Sequence, residues 1–363
     1  MTRASKRLLA LQGRMQEANV DLVAIGPTAN MRYLLEFAPH ADERLCLLLV
    51  SRQATRMVVP RLNQDSIAAQ TDVELAGWAD ADGPEEAVRR ALAGMPAPRS
   101  VAVDGAMRAD FLLHLQQAVT AEQMLPADTL LVPLRQRKSP AEIEALARAA
   151  AQADRAMQAA VEAARPGATE AEVAWAVEAA FRQDGAESVD FSMVCSGPNS
   201  AYPHHHSGDR HLQRGDAVIM DIGATLGGYK SDITRTVHLG QPSAEFRRVY
   251  AAVLEANRRA TAAVRPGASA GEVDRAARRA LEAAGYGPNF VHRTGHGIGL
   301  EVHEAPYIMA ASPLALEEGM AFSIEPGAYF VGQFGVRIED IVVVTGSGVR
   351  TLTGFDHELI VKD

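Results

Sequence analysis

Two stretches one hundred residues apart, RPGATEAEVAWAVEAAFRQDGA from Arg165 and RPGASAGEVDRAARRALEAAGY from Arg265, share the turn RPGA, the pair EV and a closing Gly in register. Each reads as a Pro-Gly turn, a Thr or Ser at the N-cap, an amphipathic helix and a Gly where the helix stops. Alanine-rich helices resemble one another by composition alone, but matched turns and caps go further. A unit repeated at a fixed offset, each time followed by strand-like segments, predicts an α+β domain of two equivalent halves with a pseudo-twofold axis. A cleft between such halves is a natural place for a ligand.

The repeats occupy the later part of a 363-residue chain, a length that suits two domains. Before them, SKRLLALQGRMQEA has helical spacing, VDLVAIG and LCLLLVS read as buried strands, and GPEEAVRRALAGM is helical again. That order predicts a smaller α/β domain. Ser139, Pro140 and Glu142 form a helix start, with Ser as N-cap, Pro in the first turn and Glu at the capping-box position. The boundary is therefore expected just before that helix, giving residues 1–130 and 131–363.

Composition narrows the function. With 47% hydrophobic and 22% charged residues the chain is an ordinary globular protein. A formal charge of -9 supplies no basic field for nucleic acid or an anionic membrane. The N-terminal segment breaks its apolar residues with Arg, Lys, Gln and Glu, unlike a signal peptide, and LCLLLV is too short to span a bilayer. Cys46 and Cys195 lack the spacing of a metal or redox motif. Together these predict a cytoplasmic protein.

The chemistry lies in carboxylates placed where core residues belong. VIMDIGATLGGYKSDITRTV reads as a hairpin whose arms carry Asp221 and Asp232, and with an even loop around ATLGGY both face the same way. AFSIEPGAYF and GVRIEDIVVV place Glu325 and Glu339 in apolar runs in the same manner. Buried carboxylates repel one another and lose hydration, so a shared proton, a cationic side chain or a metal must neutralise them. A single Asp beside Gly is usually a turn residue, but that reading would have to hold for two pairs. Between the pairs, His296 stands among the glycines of HRTGHGIGLEVHEAP. Four acids and one imidazole match two divalent cations. Oxygen-rich ligation with one nitrogen and no thiolate favours Mn²⁺, Co²⁺ or Fe²⁺, with Zn²⁺ also compatible.

The order Asp, Asp, His, Glu, Glu in MDIGATLGGYKSDITRT, TGHGIGLEVHEAP, SIEPGAY and GVRIED resembles the pita-bread metallopeptidases: prolidase, aminopeptidase P and methionine aminopeptidase. The likeness runs from about residue 140 to the C-terminus, and the extra N-terminal domain resembles that of creatinase and the proline-specific members. It implies Asp221, Asp232, His296, Glu325 and Glu339 as metal ligands, with Asp232 and Glu339 bridging two ions, Mn²⁺ first. Glu325 would also accept the proton of the attacking water. His303 matches a position that hydrogen-bonds substrate near the scissile bond, and His204, in YPHHHSGD, one that lines the pocket; His205 and His206 are left unassigned. Tyr329 resembles a tyrosine that bonds a metal-binding carboxylate. Arg337, two residues before Glu339, is placed to fix a carboxylate ligand or a peptide carbonyl. The N-terminal domain would serve oligomerisation, as a homodimer, or substrate gating.

The expected reaction is hydrolysis of an Xaa-Pro bond at a free N-terminus, on a small peptide with proline second. An imide bond has no N–H for backbone pairing, which a metal pair does not need. A dipeptidase, or prolidase, also needs a cation for the product carboxylate. Some prolidases carry Arg after the HExP segment, where this chain has Tyr307. Arg44, in the charged loop FAPHADERLCLLLV, is the expected substitute, reaching a neighbouring subunit's site. The alternative is aminopeptidase P acting on longer peptides; a creatinase-like hydrolase or a binding module that has lost its ligands is disfavoured because all five are present.

Overall fold

The structure is a computed structural model that describes residues 2–363. It forms two compact units, one ending at Arg135 and one spanning Gln136–Asp363. The expected boundary at 130/131 falls inside the helix Asp128–Arg135, which belongs to the first unit.

The first unit is built on a six-stranded mixed sheet of β1 (Leu22–Ile25), β2 (Leu47–Ser51), β3 (Thr55–Pro60), β4 (Glu74–Trp78), β5 (Ser100–Val103) and β6 (Gln123–Pro126) in the order β4-β3-β2-β1-β5-β6. The two apolar runs expected as strands are β1 and β2, paired antiparallel from Leu22↔Ser51 to Ile25↔Leu48. Every residue of both is buried, as the absence of alternation requires. Leu22, Leu49, Val58, Val101, Phe111 and Leu115 meet in its core, to which the helices Glu85–Leu92 and Ala109–Ala118 contribute.

The second unit starts with the helix Pro140–Ala163, whose capping-box carboxylate, Glu142, accepts hydrogen bonds from the Ser139 amide and hydroxyl at 2.9 and 2.8 Å. The helix Glu170–Gln183 follows, then β7 (Ser188–Ser196), β8 (Ala217–Leu226), β9 (Tyr229–Lys230) and β10 (Ile233–Leu239). The second half repeats this order with the helices Ala244–Ala263 and Ala270–Ala283, then β11 (Gly295–Gly297), β12 (Glu304–Ile308), β13 (Ala321–Ile324), β14 (Gly327–Phe330), β15 (Phe334–Arg337), β16 (Asp340–Thr345), β17 (Gly348–Thr351) and β18 (Val361–Lys362). One sheet runs β18-β10-β8-β7 with β9 paired to β8, the other runs β12-β11-β13-β16-β17, and β14 and β15 form a separate hairpin.

The internal repeat is legible bond for bond. Thr169 and Ser269 each accept from the amide three residues on at 3.1 Å, and Glu172 and Glu272 each accept back from the cap amide at 2.7 Å. Gly167 and Gly267 adopt φ of 89° and 81°, a left-handed conformation that needs glycine, and both donate to a leucine carbonyl at 2.8 Å, of Leu212 and Leu316 respectively. Each half has its own apolar core, one around Met157, Phe181 and Met220 and one around Phe246, Leu281 and Phe322.

Candidate metal centre

The hairpin of β8 and β9 turns through Gly227 and Gly228, both at positive φ, and holds one register from Leu226↔Tyr229 on to Ile222↔Ile233 in β10. Continuing that register puts Asp232 opposite Gly223, two residues along from Asp221, so the two carboxylates share a face. Gly223 is obligatory here, because a Cβ would lie 2.4 Å from the Ser231 carbonyl oxygen and 2.5 Å from the Phe191 ring. The second half supplies the other groups: His296 from the middle of β11, Glu325 just past β13 and Glu339 just before β16. The sheets are stitched together at this seam, with Glu339 N donating to Thr234 O at 3.1 Å and Thr236 Oγ1 to Arg337 O at 2.8 Å.

Ligand atoms of Asp232, His296 and Glu339 lie within 4.8 Å of one another, and all three side chains are buried. His296 Nε2 is 3.3 Å from Glu325 Oε1 and 3.6 Å from Asp232 Oδ2. Backbone and side-chain bonds fix this geometry: Ser323 Oγ accepts from His296 N at 3.0 Å and donates to Glu325 Oε1 at 3.0 Å, while Thr234 Oγ1 donates to Glu339 Oε2 at 2.7 Å. Asp221 accepts from Arg337 Nη2 through Oδ2 at 2.6 Å, and its Oδ1 is buried with no partner. All five groups line one cavity of about 840 Å³.

The electrostatics are those of an uncompensated cluster. Burial pushes Asp232 well above the usual carboxylate range, and the charges of Glu339, Asp221 and Glu325 push it further. Glu339 is raised by burial and then by Glu325 and Asp221. Glu325 is raised by burial to about 7, against the pull of Arg337. Burial lowers His296 to about 3, keeping its imidazole neutral and able to donate a lone pair. Four carboxylates against one adjacent guanidinium leave three negative charges in excess, a deficit that either retained protons or bound cations must cover. Asp232, His296 and Glu339 within ligand range of one another, Glu325 beside His296, and Asp221 with an unpartnered oxygen on the same cavity make a donor set that fits hard to borderline divalent cations.

The other candidate residues divide between those that line this cavity or bond its lining and those that do not. His303 lines the cavity with its ring against His296, centroids 4.1 Å apart, and His204 and His206 line it too. His205 points elsewhere, with Nε2 3.8 Å from the buried Glu170. Arg337 is buried and grips Asp221, the first of the two roles expected of it. Tyr329, expected to bond a metal-binding carboxylate, instead reaches Asp221 through Arg337: its Oη accepts from Arg337 Nη1 at 2.8 Å and donates to His292 Nε2 at 2.9 Å. His292 then carries its proton on Nδ1, 2.7 Å from Arg293 O, and burial lowers its pKa to about 4. Arg44 lies in the first unit, where Asp80 accepts from Nε and Nη2 at 3.1 Å each and Glu43 from Nη1 at 3.0 Å.

Sequence reasoning passed over the layer behind the ligands. Asp340, next to Glu339, accepts from Arg235 at 2.9 Å, Thr353 at 2.9 Å, Asn257 at 3.2 Å and His357 at 2.7 Å. Burial alone would raise this carboxylate, but Arg235 and His357 hold it at about 2. The acid pair ED at 339–340 was a visible signal, since two consecutive acids in an apolar run cannot both be unpartnered.

Comparison with known proteins agrees with this geometry. Residues 144–346 match the model of metallopeptidase family M24, and residues 7–137 match the creatinase/prolidase N-terminal domain. The chain is 42% identical over 363 residues to the "Probable dipeptidase PepE" of Mycobacterium tuberculosis, covering 98% of this chain and 96% of that one. It is 33% identical to the Xaa-Pro dipeptidase of Pyrococcus furiosus, covering 98% and 99%. The crystal structure of the prolidase from Pyrococcus horikoshii superposes with a TM-score of 0.91 at 32% identity, covering 98% and 100%. The fold is the pita-bread architecture behind a creatinase-type α/β domain, and the chain belongs to metallopeptidase family M24.

Proposed function

We propose that this chain is a metal-dependent Xaa-Pro dipeptidase, with Asp221, Asp232, His296, Glu325 and Glu339 holding two divalent cations, Mn²⁺ first among Mn²⁺, Co²⁺, Fe²⁺ and Zn²⁺. The observation that carries the reading is that these five donors line one cavity, three of them within 4.8 Å of one another, with one cationic side chain bonded to them among the described residues. Full-length similarity to proteins named Xaa-Pro dipeptidase supports the substrate class. When bound, divalent cations acidify a water molecule and offset the negative charge that develops on a peptide carbonyl oxygen.

The chain's own groups do the rest. Glu325 stands at the cavity wall beside His296 and accepts the proton of the attacking water, then passes it to the departing proline nitrogen. His303 and His204 line the same cavity as hydrogen-bond donors to the carbonyl oxygen. Arg337 and Tyr329 keep Asp221 in a single orientation. Arg44, expected to anchor substrate in a neighbouring subunit of a homodimer, is held by Asp80 and Glu43 and stands second to a cation of the cavity itself as the anchor of the peptide carboxylate. We assign the protein to the cytoplasm, a reducing setting that suits the buried free thiols of Cys46 and Cys195. No described helix is long and apolar enough to cross a membrane.

The test is a Mn²⁺-supplemented assay of Ala-Pro, Ala-Pro-Ala and a Met-initiated peptide without proline, run side by side. Preferred cleavage of Ala-Pro supports the dipeptidase. Preference for Ala-Pro-Ala reassigns the chain to aminopeptidase P, and cleavage of the Met peptide alone to methionine aminopeptidase.

A further inference from the structure

Two guanidinium groups line the cavity, those of Arg293 and Arg337. Arg337 is fully committed: it is 4% exposed and donates to Asp221 at 2.6 Å, Tyr329 at 2.8 Å and Thr234 at 3.2 Å. Arg293 is different. Its side chain forms no hydrogen bond and no ion pair with any described residue, although five carboxylates share its cavity. Its guanidinium carbon lies 4.6 Å from the ring centroid of Tyr307, itself 42% exposed. A guanidinium placed over an aromatic ring still has N–H groups free to bond a carboxylate.

We propose that Arg293, packed over Tyr307, receives the free C-terminal carboxylate of the substrate and so gives the cavity its preference for a dipeptide; this rests on the Xaa-Pro peptidase reading above. The reach is right. In a dipeptide the scissile carbonyl carbon and the carboxylate carbon are three bonds apart, roughly 3–4 Å, so the cation that reads the carboxylate must stand close to the reacting groups. Arg293 lines the cavity alongside His303, whose ring packs on His296, and its charge is felt by both imidazoles and by Glu325. A longer peptide presents a neutral carbonyl at that point and carries its carboxylate up to about 3.3–3.6 Å further for each added residue. A planar fork and a carboxylate form two parallel charge-assisted hydrogen bonds, which an amide or a continuing chain cannot reproduce.

The experiment measures kcat and KM of the Mn²⁺-loaded protein, its R293Q, R293K and R44A variants, on Ala-Pro, Ala-Pro amide and Ala-Pro-Ala. Calorimetric binding of L-proline and of prolinamide to the same samples gives a readout apart from turnover. Wild type is expected to show a KM for Ala-Pro about 10–100-fold below that for the amide, with R293Q bringing the ratio close to unity through KM rather than kcat. R293K should fall between them, and R293Q should abolish the preference for proline over prolinamide. An equal rise in KM for acid and amide, a loss confined to kcat, or a selective loss in R44A but not R293Q overturns the assignment. Absence of wild-type cleavage of all three peptides defeats the peptidase reading and this inference with it, whereas unselective loss in R293Q defeats the inference alone.

Discussion

Asp232→Asn removes one charge from the cluster while keeping the shape of the side chain, and its effect should change sign with metal. Ligand atoms of Asp232, His296 and Glu339 lie within 4.8 Å. Two unit charges at that separation repel by about 3.5 kcal/mol at an effective dielectric constant of about 20. Without cations the fold escapes this repulsion by keeping protons on Asp232 and Glu339, whose pKa values burial and neighbouring charges raise. The unfolded chain releases those protons near pH 4, so the folded state is penalised as pH rises from about 4 through the raised folded values. Metal-free wild type should therefore lose thermal stability between about pH 5 and pH 8. D232N should lose less, and at about pH 8 in EDTA should exceed wild type by about 2–3 kcal/mol, or about 5–10 °C in midpoint. Saturating Mn²⁺ should reverse the order, because ligand binding stabilises only the protein that retains its full donor set. Differential scanning fluorimetry across pH, with and without metal, reads all four conditions. A flat metal-free profile for wild type, or a D232N protein less stable than wild type in EDTA at pH 8, would refute the electrostatic reasoning.

Further predictions follow from single contacts. Glu325→Gln removes a proposed ligand as well as the proton acceptor, so with excess Mn²⁺ and metal content measured alongside, kcat should fall by about 10²–10⁴-fold even at full occupancy; a near-normal kcat would assign the proton to another group. Asp340→Ala leaves Arg235 buried without its carboxylate and should destabilise the fold by about 3–5 kcal/mol in urea titration. A change under about 1 kcal/mol would show that the four bonds to Asp340 contribute little. Gly267→Ala forces a side chain onto φ of 81°. It should cost about 1–2 kcal/mol by the same measurement, whereas Gly13→Ala, in a helix with open space around it, should not destabilise.

What could be read from the sequence was local or periodic. The repeat at Arg165 and Arg265 announced two halves because turn and cap chemistry is encoded within a few residues, and the structure forms both copies with the same bonds. Asp221 and Asp232 could be placed on one face because a two-residue Gly-Gly turn fixes strand register. Glu325, Glu339 and His296 stood out as charges inside apolar runs. Partners brought together by tertiary packing were not legible. Arg235 and Asp340 are separated by 105 positions and Arg337 and Asp221 by 116, and no spacing rule links them. Tyr329 was expected against a carboxylate, but a guanidinium stands between them, and His292 lay unremarked in a motif where His296 drew attention. Arg293 was silent for the same reason: its significance lies in what it does not bond, which only a folded cavity reveals.

The central claim is that divalent cations hold Asp221, Asp232, His296, Glu325 and Glu339 together. Anomalous diffraction from crystals of the Mn²⁺-loaded protein, recorded on both sides of the manganese edge, tests it directly. Two anomalous peaks enclosed by these five side chains are predicted; a cluster without any peak, or manganese bound only elsewhere on the chain, would contradict it.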